Sequence, residues 1–419
     1  MIFARIGLQN IQNRKIFGRK DYKILLVGDV GRRVKLSIIE AKREKEKIRK
    51  EDLRILYENS RPLRSLSPEE MVQDFLKDMP KKGNIFPNFS GACFTVPGPV
   101  VNNSMLMIPC ASEFTGQAQS EKHEWQITGK FLAEKFNLPD VTLINDYSAV
   151  CYGINLLSES DEQEKKKYFY LLKGRKEGGK ENGVKRRAVI GAGTGLGKAF
   201  TINEKDKTVK VYATEGGHAD FSPCTEEEFA LYEFIQKDIK EKTGEEYPRV
   251  SVEKVVSGMG IIYIYKFLRK RYEENFEFKE HADIKREIET FDREREEAAK
   301  NREPQEQTVA PAAAIANAAI FKKDPLCRET MSLFLKFFGA EAGNFALKIL
   351  PDDGLYLAGG IVPRILPLLD FKENNSFLEA FLNKGRMRRL LENIPIYVVL
   401  RQDVGVIGAA YCAAQLIEV

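Results

Sequence analysis

Short apolar runs that stop at glycine-rich turns recur in both halves of this 419-residue chain, and that recurrence constrains its fold more than any other feature. Leu25-Leu26-Val27 stops at Gly28-Asp29-Val30-Gly31, and strand character resumes at Val34. Ala188-Val189-Ile190 runs into Gly191-Ala192-Gly193-Thr194-Gly195-Leu196-Gly197, and Leu355-Tyr356-Leu357 into Ala358-Gly359-Gly360. Such runs read as buried strands, and glycine lets the chain turn with little steric resistance. Helical patterns lie between them, including the stretch from Trp125 to Phe136 and a small-residue segment that closes the chain after Asp403. Alternating strands and helices predict an α/β protein. Glycine turns in both halves predict two related lobes facing a shared cleft.

The expected division is a basic extension over 1–20, a small lobe over 21–147 completed by 403–419, and a large lobe over 148–402. Two charge-rich stretches, near 158–187 and 269–307, interrupt the large lobe. Both are too polar to bury a core face. The first reads as a long basic loop and the second as a solvated helix tapering into a linker.

Bulk chemistry excludes several classes. The 66 basic residues are offset by 61 acidic ones, and a net charge of +5 gives no reason to expect nucleic acid as a partner. No apolar run approaches the roughly 18 residues of a membrane span. Six cysteines without CxxC spacing and three histidines argue against a zinc site or a disulfide framework, and fit a reducing compartment. The cytoplasm is the default location. The first twenty residues, with five basic and no acidic side chains, leave organelle targeting open.

Four places carry chemistry. Asn145 and Asp146 end the run Val141–Ile144, at the sheet edge where ligands of α/β proteins gather, although the same residue types cap helices. Glu215-Gly216-Gly217-His218 sets a carboxylate and an imidazole around a tight turn, a spacing suited to the hydroxyls of one polyol. Glu253 adds a second carboxylate or is an ordinary surface helix residue. Gly193-Thr194-Gly195 reads as a hairpin tip that phosphate oxygens can approach, or as a glycine hairpin with no ligand. Gly359-Gly360 leaves room for a purine or ribose, or is a plain strand-to-helix turn.

The combination is more specific than any part. Asp-x-Gly hairpin, Pro97-Gly98-Pro99 strand end, Leu143-Ile144-Asn145-Asp146, the glycine run 191–197, Glu-Gly-Gly-His, Ser251-Val252-Glu253 and Leu357-Ala358-Gly359-Gly360 occur in the order that resembles the bacterial-type glucokinase family. The resemblance spans roughly residues 23–417. It implies a two-lobed actin-like ATPase fold, ribonuclease H-like in each lobe, with sugar and ATP between the lobes. It implies ATP-dependent phosphorylation of glucose at the 6-hydroxyl, feeding glycolysis, with Asp146 as the base. By the same resemblance Asn145, Glu215, His218 and Glu253 hold the sugar. Gly28, Asp29, Val30, Gly31, Arg32, Arg33, Gly193, Thr194, Gly195, Gly359 and Gly360 line the ATP site. Mg2+ enters with ATP near Asp29 and needs no dedicated side-chain cluster. The expected ligands are glucose and ATP, with no nucleic acid and no membrane, and a homodimer is compatible with the resemblance.

Two segments depart from the family pattern. Its phosphate hairpin reads Asp-x-Gly-Gly-Thr-Asn, whereas this chain has Arg32-Arg33 after Gly31. Residues 108–124 replace a sugar-side segment before Trp125. The alternative function is therefore a kinase-fold protein that binds sugar or nucleotide with little or no turnover.

Overall fold

The structure is a computed structural model and describes residues 22–30, 33–42, 48–62, 88–107, 125–138, 140–176, 185–203, 209–243, 246–275, 280–301, 310–370 and 375–415. Its strands are β1 (Tyr22–Val30), β2 (Arg33–Lys42), β3 (Leu53–Pro62), β4 (Gly91–Val96), β5 (Ser104–Met107), β6 (Trp125–Thr128), β7 (Val141–Asn145), β8 (Phe169–Lys173), β9 (Lys185–Ala192), β10 (Leu196–Asn203), β11 (Val209–Thr214), β12 (Leu355–Ala358) and β13 (Ile396–Val399). The helices are α1 (Gly129–Phe136), α2 (Asp146–Leu157), α3 (Glu162–Tyr168), α4 (Glu226–Thr243), α5 (Gly258–Asn275), α6 (Ala282–Asn301), α7 (Ala310–Asn317), α8 (Pro325–Ile349), α9 (Leu366–Leu369), α10 (Ser376–Leu382), α11 (Arg388–Glu392) and α12 (Val404–Gln415). Among the described residues no helix is long and apolar enough to cross a membrane.

The chain divides into two compact units. The first holds the described residues up to Met107, Trp125–Leu157, and those from Asp403 onward; the second holds the described part of Ser158–Gln402. The sheet of the first unit runs β3-β2-β1-β4-β7. Strands β1, β2 and β3 pair antiparallel, and β4 and β7 continue parallel to β1. Leu25, Leu26 and Val27 are all buried because both faces of β1 are covered. Leu26 packs with Phe94 and the α1 residues Leu132 and Phe136, while Leu25 and Val27 pack with Ala409 and Ala413 of α12. A strand covered on both faces loses the apolar–polar alternation, which is why this run is continuous.

Helix α12 is rich in small residues because it crosses α2 at close range. A β-carbon on Gly408 would collide with the Ala149 carbonyl, and one on Gly153 with the Val404 carbonyl. This crossing corrects the expected lobe boundary at 147. All of α2, through Leu157, stays with the first unit because its apolar face is buried against α12.

The second unit repeats the same core. Strands β11, β10 and β9 pair antiparallel, β12 and β13 continue parallel to β9, and β8 adds a sixth strand antiparallel to β13. The order of three antiparallel strands followed by two parallel ones thus occurs twice, in keeping with the related lobes and repeated α/β core expected from the glycine turns.

Both charge-rich stretches bury more than their composition indicates. The expected loop at 158–187 contains α3 and β8. Asp161 caps α3 by accepting from the Gln163 and Glu164 N–H groups at 2.8 and 2.9 Å. Tyr168 and Phe169 are buried at the junction, with Phe169 edge-on to Tyr356 at 5.3 Å. The stretch 269–307 contains α6, which is docked. Ile284, Ile288 and Phe291, at i, i+4 and i+7, join the main core of the second unit while the charges occupy the other face. Three apolar residues in twenty suffice when they share one stripe.

Candidate active site

In the first unit, two acidic groups stand at the carboxyl ends of parallel strands. Asp29 is paired in register with Thr95 across β1 and β4, and Thr95 Oγ1 donates to Asp29 Oδ1 at 2.6 Å. This charge-assisted bond fixes the carboxylate and leaves Oδ2 without a partner among the described residues. Gly28 is required by packing, since a β-carbon there would run into the Phe94 ring. Val30 pairs with Val34 at the end of the hairpin. Gly31, Arg32 and the side chains of Val30 and Arg33 lie outside the described residues, as do the extension 1–20 and the segment 108–124.

Asn145 ends β7 and Asp146 opens α2. Asn145 Oδ1 accepts from the Tyr147 N–H at 3.0 Å and the Ser148 N–H at 3.2 Å, and Nδ2 donates to the Gly98 carbonyl at 3.2 Å. The helix-cap reading therefore accounts for the oxygen of Asn145. Its second amide hydrogen has no partner among the described residues. Asp146 is half-buried, and its Oδ1 accepts from the Tyr147 N–H at 2.8 Å. Gly98 turns the Pro-Gly-Pro segment with a φ of 108° and so aims its carbonyl at Asn145.

In the second unit, β9, β12 and β13 end at one edge, and the two glycine turns are joined there. Gly359 has a φ of 91°, and a β-carbon on it would collide with the Ala192 carbonyl, which accepts from the Ile361 N–H at 3.3 Å. The Gly193 N–H donates to the Gly195 carbonyl at 2.9 Å, and the Gly258 N–H to the Gly193 carbonyl at 2.8 Å. Around Gly193 and Gly360 the backbone is bare. The nearest atom to a β-carbon would be 3.9 Å away at Gly193 and 4.0 Å away, Gln402 Oε1, at Gly360. Thr194 at the tip is exposed.

The third glycine of the turn has a different neighbour. Gly195 is covered by the carboxylate of Glu253, whose Oε2 accepts from the Leu196 N–H at 2.9 Å. Glu253 lies on a short 3-10 turn, Val252–Lys254, and Glu215 precedes another, Gly216–His218. The Val252 N–H donates to the Ala219 carbonyl and the Phe221 N–H to the Val250 carbonyl, both at 2.8 Å, which ties the two turns together. Burial pushes the Glu215 carboxyl above the usual range; the nearby His218 imidazole opposes that rise and the Glu253 carboxylate adds to it. Glu215 thus feels both His218 and Glu253 on the joined turns, whereas Gly193 and Gly360 form a separate bare surface beside the packed Gly359.

Three supporting residues were not legible as site residues. Thr95 holds Asp29. Lys198 donates to the Gly216 carbonyl at 2.7 Å. Arg249 donates to the His218 carbonyl and, through Nε, to Asp220 at 2.5 Å. The parallel register of β1 and β4 is the signal that places Thr95 beside Asp29, and it is a tertiary property. No group of three or more His, Cys, Asp or Glu side chains able to hold a metal occurs among the described residues.

A family model described as Glucokinase matches residues 26–416. Glucokinase from Trichormus variabilis is 40% identical over 399 residues, covering 94% of this chain and 99% of that protein. Glucokinase from Synechocystis is 40% identical over 324 residues, 77% of this chain and 79% of that one. Among solved structures, glucokinase from Balamuthia mandrillaris, described in complex with glucose, superposes with a TM-score of 0.67 at 18% identity over 94% of each chain. Glucokinase from an Antarctic psychrotroph superposes at 0.59 with 22% identity, covering 94% of this chain and 99% of that one. At those identities the structural likeness establishes the fold.

Proposed function

The chain belongs to the glucokinase family, and from that premise we propose how its residues share the work of phosphorylating glucose. It is a hexose kinase that transfers a phosphoryl group from ATP to glucose. In our reading the acceptor is the 6-hydroxyl, and Asp146 takes its proton as the oxygen attacks the γ-phosphorus. The position suits that role. Asp146 is the first residue of α2, where the positive end of the helix dipole favours an anion, and the Tyr147 N–H sets the orientation of its carboxylate. The packing of α2 on α12 fixes that helix end.

Glu215, His218 and Glu253 take ring hydroxyls, together with the remaining amide hydrogen of Asn145. Two carboxylates supply acceptors and the imidazole and amide supply donors or acceptors as needed. Glu253 is partly buried, and such a carboxylate left without its hydroxyl is costly, so this set discriminates between sugars by what each leaves unpaired. The bare backbone at Gly193 and Gly360 takes the nucleotide, because no β-carbon keeps it at a distance, and Gly359 sets the turn that presents Gly360.

Mg2+ would accompany ATP. Magnesium sites of this kind use one or two carboxylates together with phosphate oxygens and water, and Asp29, whose Oδ2 has no partner among the described residues, fits that requirement. When bound, the ion neutralises charge on the phosphates. Asp29 would hold it in place, and Thr95 holds Asp29.

The observation that carries this assignment is the grouping of Glu215, His218 and Glu253 on the joined turns, a polyol-binding chemistry built on a turn beside a bare phosphate-accessible backbone. A coupled assay with glucose and ATP, with and without Mg2+, tests it. Phosphorylation at the 6-hydroxyl is expected, lost on chelation of the metal. Turnover unchanged by chelation, or phosphorylation at another hydroxyl, would overturn the assignment. The alternative, a binder with little or no turnover, rests on the sequence departures at Arg32-Arg33 and 108–124; Arg32, the Arg33 side chain and 108–124 lie outside the described residues.

A further inference from the structure

Lys198 is only 3% exposed, although it lies one residue beyond the glycine turn of the site. Its Nζ donates to Glu341 Oε1 of α8 at 2.6 Å and to the Gly216 carbonyl at 2.7 Å. The second oxygen of Glu341 accepts from Asn344 Nδ2 at 3.1 Å, and Asn344 Oδ1 accepts from Lys384 Nζ at 2.7 Å. A chain of polar groups therefore runs from α8 to the carbonyl of Gly216, the residue between Glu215 and the Gly217-His218 half of the turn. Thr214 completes the mounting: its hydroxyl donates to the Lys198 carbonyl at 3.1 Å and accepts from the Gly216 N–H at 3.2 Å.

An ion pair so deeply buried is a poor way to stabilise a core. Removing two charges from water largely cancels their attraction, and apolar residues of similar volume are commonly as stabilising or more so. What an apolar pair cannot do is donate a hydrogen bond to Gly216. The pair makes sense if its task is local: burial lowers the Lys198 pKa, Glu341 opposes that fall and holds the ammonium in place, and Lys198 grips the turn.

We propose that Lys198 and Glu341 are positioning residues for the sugar, a buried strut that holds the Glu215–His218 turn in the geometry that receives the hydroxyls. This rests on the assignment of Glu215 and His218 to the sugar. The strut touches no substrate. It sets where the Glu215 carboxylate and the His218 imidazole stand, so glucose recognition depends on it and the nucleotide surface at Gly193 and Gly360 does not.

The test is the double variant Lys198→Met/Glu341→Leu, compared with Glu215→Gln and His218→Asn in the full chain. The double variant removes both charges of the pair but also takes the acceptor from Asn344 Nδ2 and the nearby carboxylate from Lys384, so the deciding readout is the split between the two KM values and not thermal stability. The KM for glucose should rise about tenfold or more, the range for loss of a hydrogen bond to a positioned polar group, with the KM for ATP unchanged. A merely structural pair would shift both KM values together, and that result overturns the proposal. If Glu215→Gln and His218→Asn raise the glucose KM while the double variant does not, the strut is wrong and the sugar assignment stands. If neither of those two variants affects glucose, the sugar assignment itself fails. Should the Leu variant not fold, Lys198→Met/Glu341→Gln reads the same quantity, because the amide can still accept from Asn344 while the donor to Gly216 is gone. An unchanged glucose KM in that variant would equally overturn the strut.

Discussion

Glu253 lays its carboxylate over the bare α-carbon of Gly195 and accepts the Leu196 N–H through Oε2 at 2.9 Å. The glycine turn therefore serves two neighbours. Gly195 makes room for a side chain of the protein, and Gly193 leaves a surface open.

That division predicts opposite outcomes for two single-methyl changes. Gly195→Ala must displace Glu253 and should raise the KM for glucose about tenfold or more, since a hydrogen bond to a charged group contributes roughly 1.5–3 kcal/mol. Gly193→Ala meets nothing nearer than 3.9 Å among the described residues and should instead raise the KM for ATP. Steady-state kinetics with each substrate varied in turn would show it. A Gly195→Ala enzyme impaired only toward ATP would return that residue to the nucleotide surface.

Asp146→Asn should lower kcat by about 10²–10⁴, the usual contribution of a positioned base, while glucose still binds. Asparagine keeps the shape and the bond from the Tyr147 N–H but cannot accept the proton. Calorimetric titration with glucose, alongside the coupled assay, separates binding from turnover. Near-normal kcat would remove Asp146 from the role of base.

Glu215→Gln should make the protein more stable at neutral pH while weakening glucose binding. Burial raises the Glu215 pKa in the folded state, so the folded protein favours the protonated form. The contribution of Glu215 to stability is then most favourable at acid pH, below the unfolded value, and is lost as pH rises through the raised folded value. Glutamine avoids that loss, so the gain in Tm over the native protein should shrink as pH falls into the carboxylate range. For the same reason the native KM for glucose should rise as pH falls through the raised value, because protonation removes an acceptor. A Tm difference that does not depend on pH would contradict this account.

Thr95→Val should lower kcat/KM for Mg-ATP roughly tenfold, given about 1.5–3 kcal/mol for a hydrogen bond to a charged group. The hydroxyl at 2.6 Å is the group that orients Asp29. The KM for glucose should not move, and a change confined to glucose would detach Asp29 from the nucleotide.

Deletion of residues 162–183 should destabilise the second unit, because it removes β8 with its buried neighbours Tyr168 and Phe169 and exposes the edge of β13. Burying one large side chain contributes roughly 1.5–3 kcal/mol, so losing two is a large fraction of the stability of an ordinary domain. A sequence reading that treats the stretch as a polar loop expects no effect. Thermal unfolding of the deletion protein decides between them.

The sequence by itself determined the class of fold and singled out the candidate reactive residues. Continuous apolar runs ending in glycine are a local property: a strand buried on both faces has no polar residue to alternate, and the turn after it needs backbone freedom. Asp146, Glu215, His218 and Glu253 were singled out because the order of their motifs resembles the family's, while each motif alone left an ordinary structural reading open. Tertiary structure decided what each of them rests on. Gly28 answers to the Phe94 ring and Gly195 to Glu253, contacts made by residues 66 and 58 positions away in the chain. Lys198 reads as one more surface lysine until α8 brings Glu341 to it, and Thr95 is an ordinary strand residue until the register of β1 and β4 sets it against Asp29. The charged stretches were misread because composition averages over a helix, whereas burial depends on which of its faces carries three apolar side chains. Reactive groups are chosen by their own chemistry, which a sequence records; their positions are set by long-range contacts, which it does not.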